Sequence, residues 1–186
     1  MCLLPSDEHQ LRHALTLAQN AAALASPNPA VGCVLATGDA SSEVLGEGAH
    51  RYDGRDHAEI VALKAAAAQR HEVRGTTAFV TLEPCSHQGR TGPCADALIA
   101  AGIVRCVVAT VDPNPLVRGQ GLARLRKAGL EVIVAAPDSA VAIAARRLND
   151  AFAFSIQHGR PFVTLKAAVS AAWPGLAPAP AGWGPR

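Results

Sequence analysis

The sequence predicts an α/β layered fold with a partly parallel sheet, and three observations carry that reading. Short β-branched or apolar runs alternate with helical segments from residue 57 onward, a pattern in which helices cross over between neighbouring strands. Hydrophobic residues make up 49% of the 186-residue chain, enough for a core of its own. Aromatic residues are only 4%, so the core must be aliphatic.

The elements follow in order. Ser6 is a candidate N-cap ahead of Asp7 and Glu8, and Leu11, Ala14, Leu15, Ala18 and Ala22 recur on one helical face. That helix must end at Ser26-Pro27-Asn28-Pro29, because proline lacks the N–H a helix needs. Residues 31–35 read as a buried strand, and 43–49 as its hairpin partner across the polar turn 37–42. Beyond a polar loop at 51–56, residues 57–70 are helical, with Ile60, Leu63 and Ala67 on one side. β-Branched and aromatic content makes 76–82 a strand. A loop over 83–93 leads to a helix at 94–101. A strand at 103–110, a helix at 119–128, a strand at 130–135 and one long helix over 138–157 complete the pattern.

Composition narrows the function. The formal net charge is +2, and Lys and Arg are spread along the chain, so nothing argues for a nucleic-acid surface. No apolar run is long enough to span a bilayer. Cysteines number five, an odd count, and the start MCLLPSDEHQ lacks the character of a secretory signal. A disulfide framework is therefore not expected, and a reducing cytoplasm is the expected location.

Chemistry gathers at three junctions between a loop and a helix start: His57-Ala58-Glu59, Pro84-Cys85 and Pro93-Cys94. One His and two Cys are three zinc ligands, and a catalytic zinc keeps its fourth position open for water. Helix N-termini favour thiolates, because unpaired N–H groups point at them. Glu59 is the natural proton carrier beside such a metal. A structural zinc site would want a fourth protein ligand, and His87 is the nearby candidate. Cys33 and Cys106 lie inside strand segments and read as core residues.

His-x-Glu followed by Pro-Cys and a second Cys resembles the signature of the cytidine-deaminase-like superfamily. The usual ending is C-x-x-C, whereas eight residues, SHQGRTGP, separate Cys85 from Cys94. The long form TLEPCSHQGRTGPC resembles the deaminase half of the bifunctional riboflavin-biosynthesis deaminase–reductases. So do Asn28-Pro29-Ala30-Val31-Gly32, Gly48-Ala49-His50 and Asp112-Pro113-Asn114-Pro115, and the similarity runs from about residue 7 to 170.

That resemblance implies a three-layer α/β/α fold around a mixed five-stranded sheet, with one zinc per chain on His57, Cys85 and Cys94. The substrate would be a small phosphorylated pyrimidine, a diaminopyrimidinone bearing a ribosylamino phosphate, which loses its 2-amino group as ammonia. Activated water would attack the amino-bearing carbon. Glu59 would take the water proton and return protons to the ring nitrogen and the departing amine.

Asn28 offers an amide to a ring or sugar edge, or simply forms the turn between two prolines. His50, His87 and Thr91 face the same loops, and Arg90 could meet the phosphate with its guanidinium fork. Asp112 and Asn114 follow a strand end, where ligands lie in open α/β sheets. The resemblance also implies that copies of the chain can associate into a homo-oligomer.

The segment GRPFVTLKAAVS (159–170) resembles the start of the family's reductase, after which the chain turns to Ala171-Ala172-Trp173-Pro174 and a tail rich in Pro, Gly and Ala. The reading is a deaminase domain over 1–136, a linker helix over 137–160, a strand stump over 161–172 and a disordered tail over 173–186. The reductase and its NADPH are not expected. Two other functions are compatible with a His/Cys/Cys zinc site: a deaminase acting on a transfer-RNA base, and a non-catalytic zinc module. The first wants a basic, aromatic-bearing surface, and the second wants eroded deaminase residues.

Overall fold

The computed structural model describes residues 3–38, 42–87 and 92–167. Arg90, Thr91 and the 173–186 tail, with the last part of the strand stump, lie outside the described residues. Five strands, β1 (Gly32–Ala36), β2 (Val44–Ala49), β3 (Thr77–Val80), β4 (Arg105–Val108) and β5 (Glu131–Val134), lie in the order β2-β1-β3-β4-β5. The hairpin pair β1 and β2 is antiparallel, β1 is antiparallel to β3, and β3, β4 and β5 run parallel. The sheet is therefore mixed, as expected.

Successive strand residues point to opposite faces, and the two cores sort accordingly. Cys33, Leu35, Ala78, Val80, Cys106 and Val108 face one side, under α2 (Ala58–Ala68), α3 (Cys94–Ala100) and α4 (Gln120–Lys127). Val34, Phe79, Val107 and Ile133 face the other, under α1 (Pro5–Ala25) and α5 (Ala140–Leu148). The result is three layers. Cys33 and Cys106 are fully buried in the first core, as their strand positions implied.

Two helix boundaries differ from the sequence reading, each for a physical reason. The N-cap position of α1 is Leu4 and not Ser6, with Pro5 as the first helical residue. Proline suits that position, and Asp7 reaches back to accept the Leu4 N–H at 3.0 Å. The expected long helix over 138–157 is broken at Asn149 into α5 and α6 (Asp150–His158). The Asn149 side chain accepts the Ala30 N–H at 2.8 Å and donates to the Ala30 carbonyl at 3.0 Å. Both Ala30 groups are buried and need partners, and one primary amide supplies both. Residues 140–148, read as linker, thus pack Val141, Ala142 and Ala145 into the second core. Residues 161–167 carry no strand and are exposed.

Asp7 also closes the layer at its far end. It is 2% exposed and takes both guanidinium nitrogens of Arg105 at 2.7 Å. Burial works to raise its carboxyl, but Arg105 and the Leu4 N–H overcome this and hold it below the usual value. Removing the guanidinium in Arg105→Ala strands that carboxylate and is expected to destabilise the fold by about 3 kcal/mol at neutral pH. Because the native carboxyl is depressed, the contribution is present above the ordinary aspartate range and lost as pH falls through it. Thermal unfolding of wild type and variant should therefore converge toward acid pH.

Candidate active site

Three chain segments converge above α2 and α3. His57 is the N-cap of α2, and Glu59 lies in its first turn. This helix sits tightly on the edge strand, because a Cβ on Gly46 would lie 2.4 Å from the Ala62 carbonyl oxygen and one on Gly48 would lie 2.6 Å from the Val61 Cβ. Only glycine permits that approach. Cys94 is the first residue of α3, and its N–H donates to the Cys85 sulfur at 3.3 Å.

His57 Nδ1 lies 3.5 Å from the Cys85 Sγ and 3.2 Å from the Cys94 Sγ. All three donor atoms lie within 4.8 Å of one another. A tetrahedral zinc with ordinary Zn–S and Zn–N bonds spaces such donors about 3.5–3.8 Å apart, so the arrangement fits the ion. The cluster has three members among the described residues, and His87 is not one of them. A metal held here keeps an open coordination position.

The electrostatics agree. The Cys94 thiol donates to Cys85, and with His57 beside it the Cys85 thiol is held down to about 4. Cys94, which carries that shared proton, is pushed up. His57 is raised, chiefly by its hydrogen bond to Cys85. A divalent cation would displace the shared proton, since thiolates are the metal-binding form. Glu59 is 3% exposed, and burial pushes its carboxyl up to about 7.

The cluster opens into a cavity of about 260 Å³. Asn28, His50, His87, Asp112 and Asn114, all singled out from sequence, line it with His57, Glu59 and Cys85. His50 is buried, and its Nδ1 lies 2.7 Å from the Asp56 carbonyl. A carbonyl only accepts, so Nδ1 carries the proton and Nε2 accepts the Asn28 amide N–H at 3.0 Å. Among the described residues, the side-chain carbonyl of Asn28 has no hydrogen-bond partner. Asp112 accepts the Asn114 N–H at 2.8 Å, and Asn114 accepts the Leu116 N–H at 3.0 Å. Both therefore form the turn while lining the cavity.

Sequence reasoning missed Glu83. It is 5% exposed, and its carboxylate accepts four backbone N–H groups, from Asp112, Gly119, Gly121 and Leu122, at 2.9–3.3 Å. It thereby caps α4 and clamps the Asp112 loop to the segment leading into Cys85. An acidic residue at the end of an apolar strand, just before Pro84-Cys85, was the available signal. In Glu83→Gln one oxygen becomes a donor facing two donors. We expect metal content to hold and kcat/KM to fall about 100-fold, the scale of an ångström-level misplacement. Metal analysis beside steady-state kinetics checks it.

A mixed five-stranded sheet under three helices, with a buried Glu beside a cluster of His57 and Cys94 at helix starts and Cys85 in the loop between β3 and α3, defines the zinc deaminase class. The chain belongs to the family described as the cytidine and deoxycytidylate deaminase zinc-binding region, whose model matches residues 4–110. Within it, the chain is similar to the riboflavin biosynthesis protein RibD of Synechocystis sp., with 48% identity over 165 residues, 89% of this chain and 42% of the relative. It is also similar to the solved structure of Acinetobacter baumannii RibD, at 41% identity and a TM-score of 0.74, covering 84% of this chain and 41% of that one. A third likeness is the Thermotoga maritima diaminohydroxyphosphoribosylaminopyrimidine deaminase/5-amino-6-(5-phosphoribosylamino)uracil reductase, at 36% identity and a TM-score of 0.76, covering 84% and 43%. The chain spans less than half the length of these relatives. No helix among the described residues is long and apolar enough to cross a membrane.

Proposed function

We propose that this chain hydrolyses the 2-amino group of 2,5-diamino-6-(ribosylamino)-4(3H)-pyrimidinone 5'-phosphate. The products are the 5-amino-6-(ribosylamino)pyrimidinedione phosphate and ammonia, a step of riboflavin biosynthesis. The observation that carries this reading is the three-donor cluster of His57, Cys85 and Cys94 beside buried Glu59, with His57, Cys85 and Glu59 lining one cavity. The likeness to RibD proteins, and the activity in the Thermotoga protein's name, support the substrate.

In this reading His57, Cys85 and Cys94 hold one zinc ion, which supplies a Lewis acid able to activate water at neutral pH. Glu59 takes a proton from that water, then delivers protons to the ring nitrogen and the departing amine, so that one water is consumed and one ammonia released. Burial keeps the carboxyl close to neutrality and out of competition with bulk solvent. Asn28 presents its carbonyl to a ring or sugar donor, held by His50. Asp112 and Asn114 meet the ring or ribose, Arg90 is assigned to the phosphate, and His87 and Thr91 to the same wall.

The test is ammonia release from the phosphorylated diaminopyrimidine beside release from an anticodon stem-loop. Activity on the first alone is expected. Activity on the stem-loop alone would replace this reading with a nucleic-acid deaminase, and zinc binding without ammonia from either would leave a non-catalytic module.

A further inference from the structure

We propose that Phe152, on α6, is a substrate-contacting residue that takes a planar heterocycle against its ring face, and that Asn149 is the residue that positions it. The proposal rests on the deaminase reading above and extends the active site into the segment that looked like a linker.

Phe152 lines the same cavity as Glu59 and two of the three donors, His57 and Cys85. It is the one aromatic carbocycle among the described lining residues, in a chain with only four phenylalanines. Phe79 is spent on the core between sheet and helix. Phe154, two residues further along α6, belongs to a different face of the helix. Its ring sits 5.5 Å from Phe162 and 4.5 Å from His158, with the Arg160 guanidinium 5.4 Å over it. The helix therefore has an outer aromatic cluster and, separately, one ring turned to the cavity.

No residue of α6 is buried, so core packing does not explain where Phe152 sits. What places it is the break at Asn149, one residue before α6. The Asn149 amide pairs with both backbone groups of Ala30, two residues from Asn28. A single side chain thus ties the start of α6 to the Asn28 loop and sets both walls of the cavity together. The polar groups of Asn28, His50, Asp112 and Asn114 suit the edges of a heterocycle. Such a ring also has two apolar faces, and stacking on an aromatic side chain is the common way to hold one.

Kinetics on purified chain, with metal content measured in every sample, test this. Phe152→Ala should raise KM about tenfold or more, in line with the loss of one stacked base, while zinc content stays at the wild-type level and kcat changes less than KM. Phe152→Tyr should stay near wild type, and Phe152→Leu, which restores bulk without the ring, should fall between. Asn149→Ala should raise KM as well, and by less in the Phe152→Ala background than alone, because residues acting through one another are not additive. A merely structural Asn149 would lower the unfolding temperature with the same KM effect in both backgrounds. Wild-type activity with a Phe152→Ala KM within about twofold overturns the Phe152 assignment alone. A wild-type chain that releases no ammonia overturns the deaminase reading and this proposal with it.

Discussion

Glu59→Gln is expected to lose about two to four orders of magnitude in ammonia release while retaining its zinc, the range that general acid–base catalysis contributes. The geometry explains why the two readouts separate. Glu59 is not one of the three donors, so the amide leaves the cluster of His57, Cys85 and Cys94 intact. It is also nearly the same shape as the carboxyl, and Glu59 is only 3% exposed, so packing is preserved. What the amide cannot do is accept a proton and give it back. Metal analysis, ammonia release and thermal unfolding on one preparation check this. Zinc and unfolding temperature should match wild type, and loss of either along with activity would mean that Glu59 holds the site together.

Cys94→Ser should have the opposite signature. Cys94 begins α3, supplies one of three donors, and its N–H supports a second, the Cys85 sulfur. A hydroxyl is a poor substitute for a thiolate toward zinc. Zinc affinity should fall by more than the roughly 10–100-fold typical of losing an indirect partner, and activity should fall with it. The variant should also lose the gain in unfolding temperature that zinc gives wild type, since a metal that binds only the folded chain stabilises it by mass action. Unfolding scans with and without added zinc read this directly. An unchanged zinc-dependent gain would remove Cys94 from the metal site.

These two variants concern residues that were legible in the sequence, and for a common reason. His57, Glu59 and Cys94 each sit at a helix start that local pattern reveals. Cys85, also read at a helix start, lies instead in the loop ahead of α3 and was legible from its Pro-Cys step alone. All five strands showed in their apolar, β-branched runs. The two layers of helices followed from strand alternation. What the sequence did not show depends on partners distant along the chain. The break at Asn149 leaves apolar spacing intact on both sides, and its cause is Ala30, 119 residues away. Glu83 reads as an ordinary loop acid until the fold brings four backbone N–H groups from residues 112–122 around it. Phe152 looked like part of a linker helix because nothing local says which face of α6 meets the cavity.

The same distinction separates catalytic machinery from substrate contacts. Metal donors must satisfy a short-range geometry that sequence motifs encode. The cavity-lining residues Asn28 and His50 are joined in a hydrogen-bond chain, Asp56 carbonyl to His50 to Asn28, that appears only in three dimensions. That chain engages the N–H end of the Asn28 amide, where the sequence allowed either end.

The most direct test of the account is zinc titration of metal-free chain with ammonia release followed on the phosphorylated diaminopyrimidine. Activity should rise in proportion to bound zinc and level off at about one ion per chain, as three donors and one open position require. Full zinc occupancy without ammonia, or equal ammonia release from metal-free chain, would contradict it.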